Sequence, residues 1–131
     1  MHLEIDVDHR NGYVVLSPQG EIDFATGPAL KEQITEVLLA GDVHVVVDLA
    51  GVDFIESTGL GVLIGGRRRA AALDGSLSLA TPQDHVLKVF TITGLDKVFA
   101  VFDTVDEATA SPVSHAAAGW PSPETSRQGP L

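Results

Sequence analysis

Val47-Asp48-Leu49-Ala50-Gly51-Val52-Asp53-Phe54-Ile55-Glu56-Ser57-Thr58-Gly59-Leu60-Gly61-Val62-Leu63 is the stretch that decides the fold. It begins inside a nearly continuous β-branched run, Val43 to Leu49, the pattern of a strand covered on both faces. A short loop is expected next, and then a helix from Ser57 to Leu73. Ser57 falls at or beside the N-cap, where its hydroxyl can accept from the orphan amides of Gly59 or Leu60. A buried strand feeding a helix in this way is the repeating unit of an open α/β sheet. Such sheets carry their functional loops at the carboxyl ends of strands, and this is one.

Upstream, Leu3 to Asp8 alternates apolar and acidic residues, as a half-buried strand does. Asn11-Gly12 predicts a hairpin turn, with Tyr13 to Leu16 returning as a second strand. Leu30, Ile34, Val37 and Leu38 share one face of a helix expected over Gly27 to Ala40, stopped by Gly41. Downstream, Ser76 to Leu79 reads as a strand. Thr81-Pro82-Gln83-Asp84 reads as an N-cap, a proline at N1 and a first-turn carboxylate. That helix carries Val86, Val89 and Phe90 and stops at Gly94. Val98 to Phe102 is the last strand, and Thr104-Val105-Asp106-Glu107 is a capping box opening a short helix. The class is α/β, without internal repeats.

Of the 131 residues, 18 are acidic and 8 basic, a formal charge of -10. All of that charge lies in residues 1–108, which form the expected domain. Residues 109–131 add only Glu124 and Arg127, among Pro, Ala, Ser and Gly, and read as a flexible extension. Trp120 in that extension is either an incidental residue or a docking anchor. The acidic field disfavours nucleic acid and suits a basic protein surface. No cysteine is present, so disulfides and thiolate chemistry are excluded. Met1 to Asp6 lacks a signal-peptide pattern, and no apolar run approaches the ~18 residues of a membrane span. The expectation is a cytoplasmic protein.

Ser57 and Thr58 admit two readings. Their hydroxyls can simply cap the helix, or one can accept a phosphoryl group, which free amides and the helix dipole would stabilise. Gly61 and Gly65 share a helix face that permits close backbone approach; packing against the sheet is the expected use, and contact with a partner the alternative. Arg67, Arg68 and Arg69 read as a solvated surface, or as one contact to an acidic partner patch. His2, His9, His44, His85 and His115 lack metal-ligand spacing. Asp48 and Asp53 flank the loop and are expected to cap or solvate it. A serine hydrolase would need a nearby base or a nucleophile elbow, and neither is legible.

Phe54 to Leu63 resembles the signature of the STAS domain in bacterial anti-sigma factor antagonists, an aromatic-hydrophobic pair before Asp-Ser-(Ser/Thr)-Gly-Leu-Gly. Gly20-Glu21-Ile22-Asp23 with Ala25 to Leu30 resembles the family's second strand and first helix. Val89 to Leu95 resembles its third helix, ending in Thr-Gly-Leu. The resemblance spans residues 3–108 and implies a small mixed β-sheet covered by about four helices. It implies a non-enzymatic partner switch that binds an anti-sigma factor serine kinase and releases a sigma factor. Ser57 is then the phosphoacceptor. Asp23, Glu56, Ser57, Thr58, Gly59, Leu60 and Gly61 are the partner-binding positions. A PP2C-type phosphatase resets the switch. No cofactor, metal ligand or catalytic residue is implied, and neither nucleic acid nor membrane is a partner. Glu56 departs from the family's aspartate by one methylene, enough to affect positioning of the acceptor. Two other roles are compatible with the residues: a STAS docking subunit of a membrane transport system without phosphorylation, and a small hydrolase using Ser57.

Overall fold

Asn11 and Gly12 both take positive φ, 51° and 89°, in a computed structural model that describes residues 3–113. Their two-residue turn joins β1 (Glu4–Arg10) to β2 (Tyr13–Ile22) as an antiparallel hairpin. Strand β2 is 10 residues long, whereas its parallel neighbour β3 (His44–Asp48) has 5. Val14 to Leu16 pair with Val45 to Val47. The far end of β2 pairs instead with β4 (Val52–Ile55), Glu21 opposite Phe54 and Ile22 opposite Ile55. The change of partner falls at Gly20, where φ is 118° and the register shifts. A side chain at that angle would be strained.

Strand β4 corrects the sequence reading, which placed a plain loop between Asp48 and Ser57. Only four residues long, it forms because β2 outruns β3 and leaves backbone groups that need partners. β5 (Ser76–Ala80) lies parallel beside β3, and β6 (Val101–Phe102) parallel beside β5. The order is β1-β2-β3-β5-β6, with β4 against the end of β2, a mixed sheet of 6 strands. The expected strand over Val98 to Phe102 shrinks to two residues. A 3-10 turn at Leu95–Lys97 follows Gly94, and Phe99 turns inward to meet Phe90 edge-to-face, 6.1 Å between ring centres.

Helices α1 (Gly27–Leu39), α2 (Ser57–Ala72) and α3 (Asp84–Ile92) cover one face of the sheet. There Leu30, Ile34, Leu63 and Phe90 pack on Val14, Leu16, Val45 and Val47. Strand alternation sends Val15, Val46 and Ala80 to the other face, under the short helix α4 (Val105–Ala108). Val45, Val46 and Val47 are all fully buried, as the β-branched run predicted. Helix α3 starts later than expected. Gln83 is its N-cap residue, and Thr81 sits at φ 58° with its amide donating to the Phe102 carbonyl at 2.9 Å. That bond closes the β5–β6 end of the sheet, so Thr81 does not cap. At α4 the N-cap half of the expected capping box forms, Thr104 Oγ1 accepting from the Glu107 amide at 3.0 Å.

Contacts of the domain continue past Ala108. The Asn11 amide group donates to Thr109 O at 2.7 Å, Tyr13 OH to Ser111 O at 3.0 Å, and the Val113 amide to Asn11 O at 2.9 Å. Five residues of the expected extension thus lie against the β1–β2 hairpin. The remainder, with Trp120, lies outside the described residues.

Candidate functional site

Three backbone segments meet at one end of the sheet: the end of β2 with the loop to α1, the end of β4, and the first turn of α2. The Glu56 amide donates to Ile22 O at 3.2 Å, tying the second to the first. Glu56 is the N-cap residue of α2, and its Oε1 accepts from the Thr58 amide at 2.8 Å. Glutamate is an uncommon cap, but in extended backbone its longer side chain reaches back over the turn. The carboxylate at position 56 therefore has a structural use, one that the family's aspartate could also serve. It also displaces Ser57 from the capping role: Ser57 occupies the first helical position. Its side chain is exposed and makes no hydrogen bond among the described residues.

The neighbouring wall is built by Asp23 and Thr26. Asp23 Oδ1 accepts from the amides of Ala25 and Thr26 at 2.9 and 3.0 Å. The buried Thr26 hydroxyl accepts from the Asp23 amide at 2.9 Å and donates to Glu21 O at 2.7 Å. The loop is thereby closed on itself. Gly27 follows, and a Cβ there would stand 3.1 Å from Thr58 Cγ2, so a glycine lets α1 and α2 come together beside Ser57. The Asp-x-x-Thr spacing is legible in sequence; the approach of Gly27 to Thr58 is not.

The bond from the Thr26 amide first, and then that from the Ala25 amide, hold the Asp23 carboxyl below its ordinary value against an opposing desolvation. A carboxyl lowered in the folded state stabilises the fold above the usual aspartate range near ~3.9. That contribution is lost as pH falls through the lowered value. Comparing wild type with Asp23→Asn, the gap between urea midpoints should be widest at about pH 6 and should narrow by about pH 2.5. A gap that stays constant with pH would show the carboxylate charge to be immaterial.

A second support was not legible in the sequence. From the start of α3, Gln83 Nε2 donates to Ala50 O at 3.0 Å, and His85 Nε2–H donates to Asp53 O. These side chains sit where β4 has no neighbouring strand. On the other side of the loop, Asp48 Oδ1 accepts from the Ala50 amide at 3.1 Å, the capping role expected of it. Asp53 is exposed and contributes its carbonyl instead.

Of the seven expected contact positions, the structure brings Asp23, Glu56, Ser57 and Thr58 together. Gly59 and Leu60 turn inward: a Cβ on Gly59 would stand 2.6 Å from Ile22 Cγ2, and Leu60 is buried. They seat the helix and present no side chain to a partner. Gly61 is exposed, with nothing within 4 Å of a Cβ placed on it. Packing of Gly61 and Gly65 on the sheet is therefore corrected. The helix phase puts Gly59, Leu63, Gly66 and Ala70 inward instead, and one turn from Ser57 it puts Gly61 outward. Arg67 and Arg68 are exposed, while Arg69 folds back toward Gly65 with Nε and Nη2 shut from solvent.

The arrangement offers an accessible hydroxyl at a helix start, where a product dianion would meet a favourable dipole, with the Thr58 amide already taken by Glu56. Among the described residues, no base is hydrogen-bonded to that hydroxyl and no group of three His, Asp or Glu could hold a metal ion. Among them, too, no helix is long and apolar enough to cross a membrane.

Known proteins share this architecture and sequence. The family model described as STAS domain matches residues 4–108. The anti-sigma-F factor antagonist RsfB of Mycobacterium tuberculosis (strain ATCC 25618 / H37Rv) is 32% identical over 106 residues, 81% of this chain and 86% of its own length. The anti-sigma-B factor antagonist of Bacillus subtilis (strain 168) is 29% identical over 101 residues, 77% of this chain and 92% of its own. A crystal structure of an anti-sigma factor antagonist from Mycobacterium paratuberculosis superposes with a TM-score of 0.73 at 28% identity, covering 83% of this chain and 92% of that one. Sheet order, the helix opened at Ser57 and these relatives agree: the chain belongs to the STAS domain family, among homologues that are anti-sigma factor antagonists.

Proposed function

We propose that the protein is an anti-sigma factor antagonist acting by partner switching. In the unphosphorylated state it binds an anti-sigma factor that is also a serine kinase, and so frees a sigma factor. The contact surface comprises Asp23, Glu56, Ser57, Thr58 and the bare backbone at Gly61. The kinase then transfers the γ-phosphoryl group of ATP to Ser57. The Ser57 oxygen bonds to phosphorus, the bond to ADP breaks, and the hydroxyl proton passes to a base on the kinase. A PP2C-type, metal-dependent phosphatase hydrolyses the ester and resets the switch. The chain itself is a substrate and a ligand, with no turnover of its own, and it acts in the cytoplasm without nucleic acid or membrane.

The observation that carries this reading is the unbonded, exposed Ser57 hydroxyl at the first position of α2. A neutral hydroxyl there permits close packing. A phosphate adds about -1.5 to -2 charge, which an interface fitted to the alcohol must desolvate. A transport-system docking subunit has no need of that hydroxyl, and a hydrolase needs a base beside it. Incubation with a kinase-type anti-sigma factor from the same genome and Mg-ATP should add one phosphate. Mass spectrometry of peptides should place it on Ser57. Phosphate elsewhere, or equal incorporation into Ser57→Ala, would overturn the assignment.

A further inference from the structure

Phe24 is 80% exposed, the most exposed aromatic side chain among the described residues. It sits in the loop that Asp23 and Thr26 close, with hydrogen bonds on both sides of it. Asp23 Oδ1 accepts from Ala25 and Thr26, and the Gly27 amide donates to Asp23 O at 2.7 Å. The loop is thus pinned in a form that holds the ring out in water, where a Phe side chain is unfavourable. Rigid presentation of a large apolar group is how interface anchors avoid ordering costs on binding.

The surroundings specify what could receive it. Glu21, Asp23, Asp53 and Glu56 flank this end of the sheet, and residues 20–30 and 48–66 contain no lysine or arginine. Gly27 against Thr58 brings the loop that carries Phe24 beside the first turn of α2, so that loop adjoins the proposed contact surface. We propose that Phe24 is the apolar anchor of partner binding, entering a hydrophobic pocket on the anti-sigma factor kinase that is rimmed by arginine or lysine side chains. The inference rests on the reading under Proposed function and names the chemistry of its partner. A second copy of this chain is a poor occupant, because its matching face carries the same acidic rim and the whole chain carries -10.

The test is calorimetric titration of the full chain and its variants against the kinase that phosphorylates Ser57. Phe24→Ala should weaken binding by about 30-fold or more, the effect of an interface hot spot. Phe24→Leu should keep most of the affinity. Ile92→Ala, which removes a side chain 77% exposed at the end of α3, should change nothing. Glu21→Gln with Asp53→Asn should slow association and flatten its salt dependence. Wild-type binding with unchanged Phe24→Ala affinity would overturn the anchor alone. Absence of wild-type binding to any such kinase would overturn the partner reading and the anchor with it. A wild-type dimer in sedimentation that Phe24→Ala dissociates would overturn it in favour of self-association.

Discussion

Ser57→Asp and Ser57→Glu should bind the kinase-type anti-sigma factor about 100-fold more weakly than wild type, whereas Ser57→Ala should bind as wild type does and resist switching off. The magnitude follows from charge. A carboxylate left without a partner in a closed interface costs about 3 kcal/mol, which is roughly two powers of ten in affinity. Removing the hydroxyl costs little, because it makes no hydrogen bond within the described part of the chain. Nor should the acidic variants unfold. A carboxylate at the first position of α2 meets the favourable end of the helix dipole, which offsets its repulsion from the neighbouring Glu56 carboxylate and should leave stability close to that of wild type. Lost binding together with a melting temperature near that of wild type is the expected signature, read by titration calorimetry and thermal denaturation. Acidic and alanine variants of equal affinity would refute the electrostatic switch.

Gly75→Ala should be the most damaging single methyl group in the domain. A Cβ at that position would stand 1.9 Å from the Val43 carbonyl oxygen. That oxygen accepts from the Ser76 amide at 2.9 Å, the bond that starts β5 along β3, and it cannot yield without disturbing the pairing of His44 with Ser76. Overpacking against backbone of this kind should destabilise by about 3 kcal/mol, a fall in melting temperature of roughly 10 °C. Gly61→Ala has the opposite sign. Its methyl group meets nothing within 4 Å, and alanine in a helix interior is favoured over glycine by up to about 1 kcal/mol. Urea denaturation of both variants checks the contrast; a Gly75→Ala protein as stable as wild type would show that the β3–β5 junction can open. Under the proposed function the Gly61 methyl group should also stand between α2 and its partner, so that variant gains stability and loses affinity.

Much of the candidate site was legible because its signals are local. The helix opening at Ser57, its glycines and the charge at position 56 all lie within a few residues of one another. What escaped the reading was the division of labour among them. Ser57 and Glu56 both had atoms able to cap; the extended backbone at Glu56 placed its carboxylate at the Thr58 amide and left the serine unbonded. The glycines were misassigned for a related reason. A helix face is known from sequence only up to its phase, and the phase here was set by which residues met Ile22 and Ile55. Gln83 and His85 were invisible as supports, since their acceptors at Ala50 and Asp53 lie more than thirty residues away.

The sequence by itself determined the α/β class, the hairpin at Asn11-Gly12, the buried strand through Val45 to Val47, the apolar face of α1 and the N-cap at Thr104. Each follows from side-chain period, backbone sterics or hydrogen bonds within a few residues. Only the tertiary structure decided that Val52 to Ile55 is a strand, that β6 is two residues long and that Thr81 closes the sheet instead of starting a helix. It also decided that the Ser57 hydroxyl faces water while Gly59 and Leu60 do not. These outcomes depend on which distant backbone groups remain unpaired, and a chain satisfies those only when its elements are brought together.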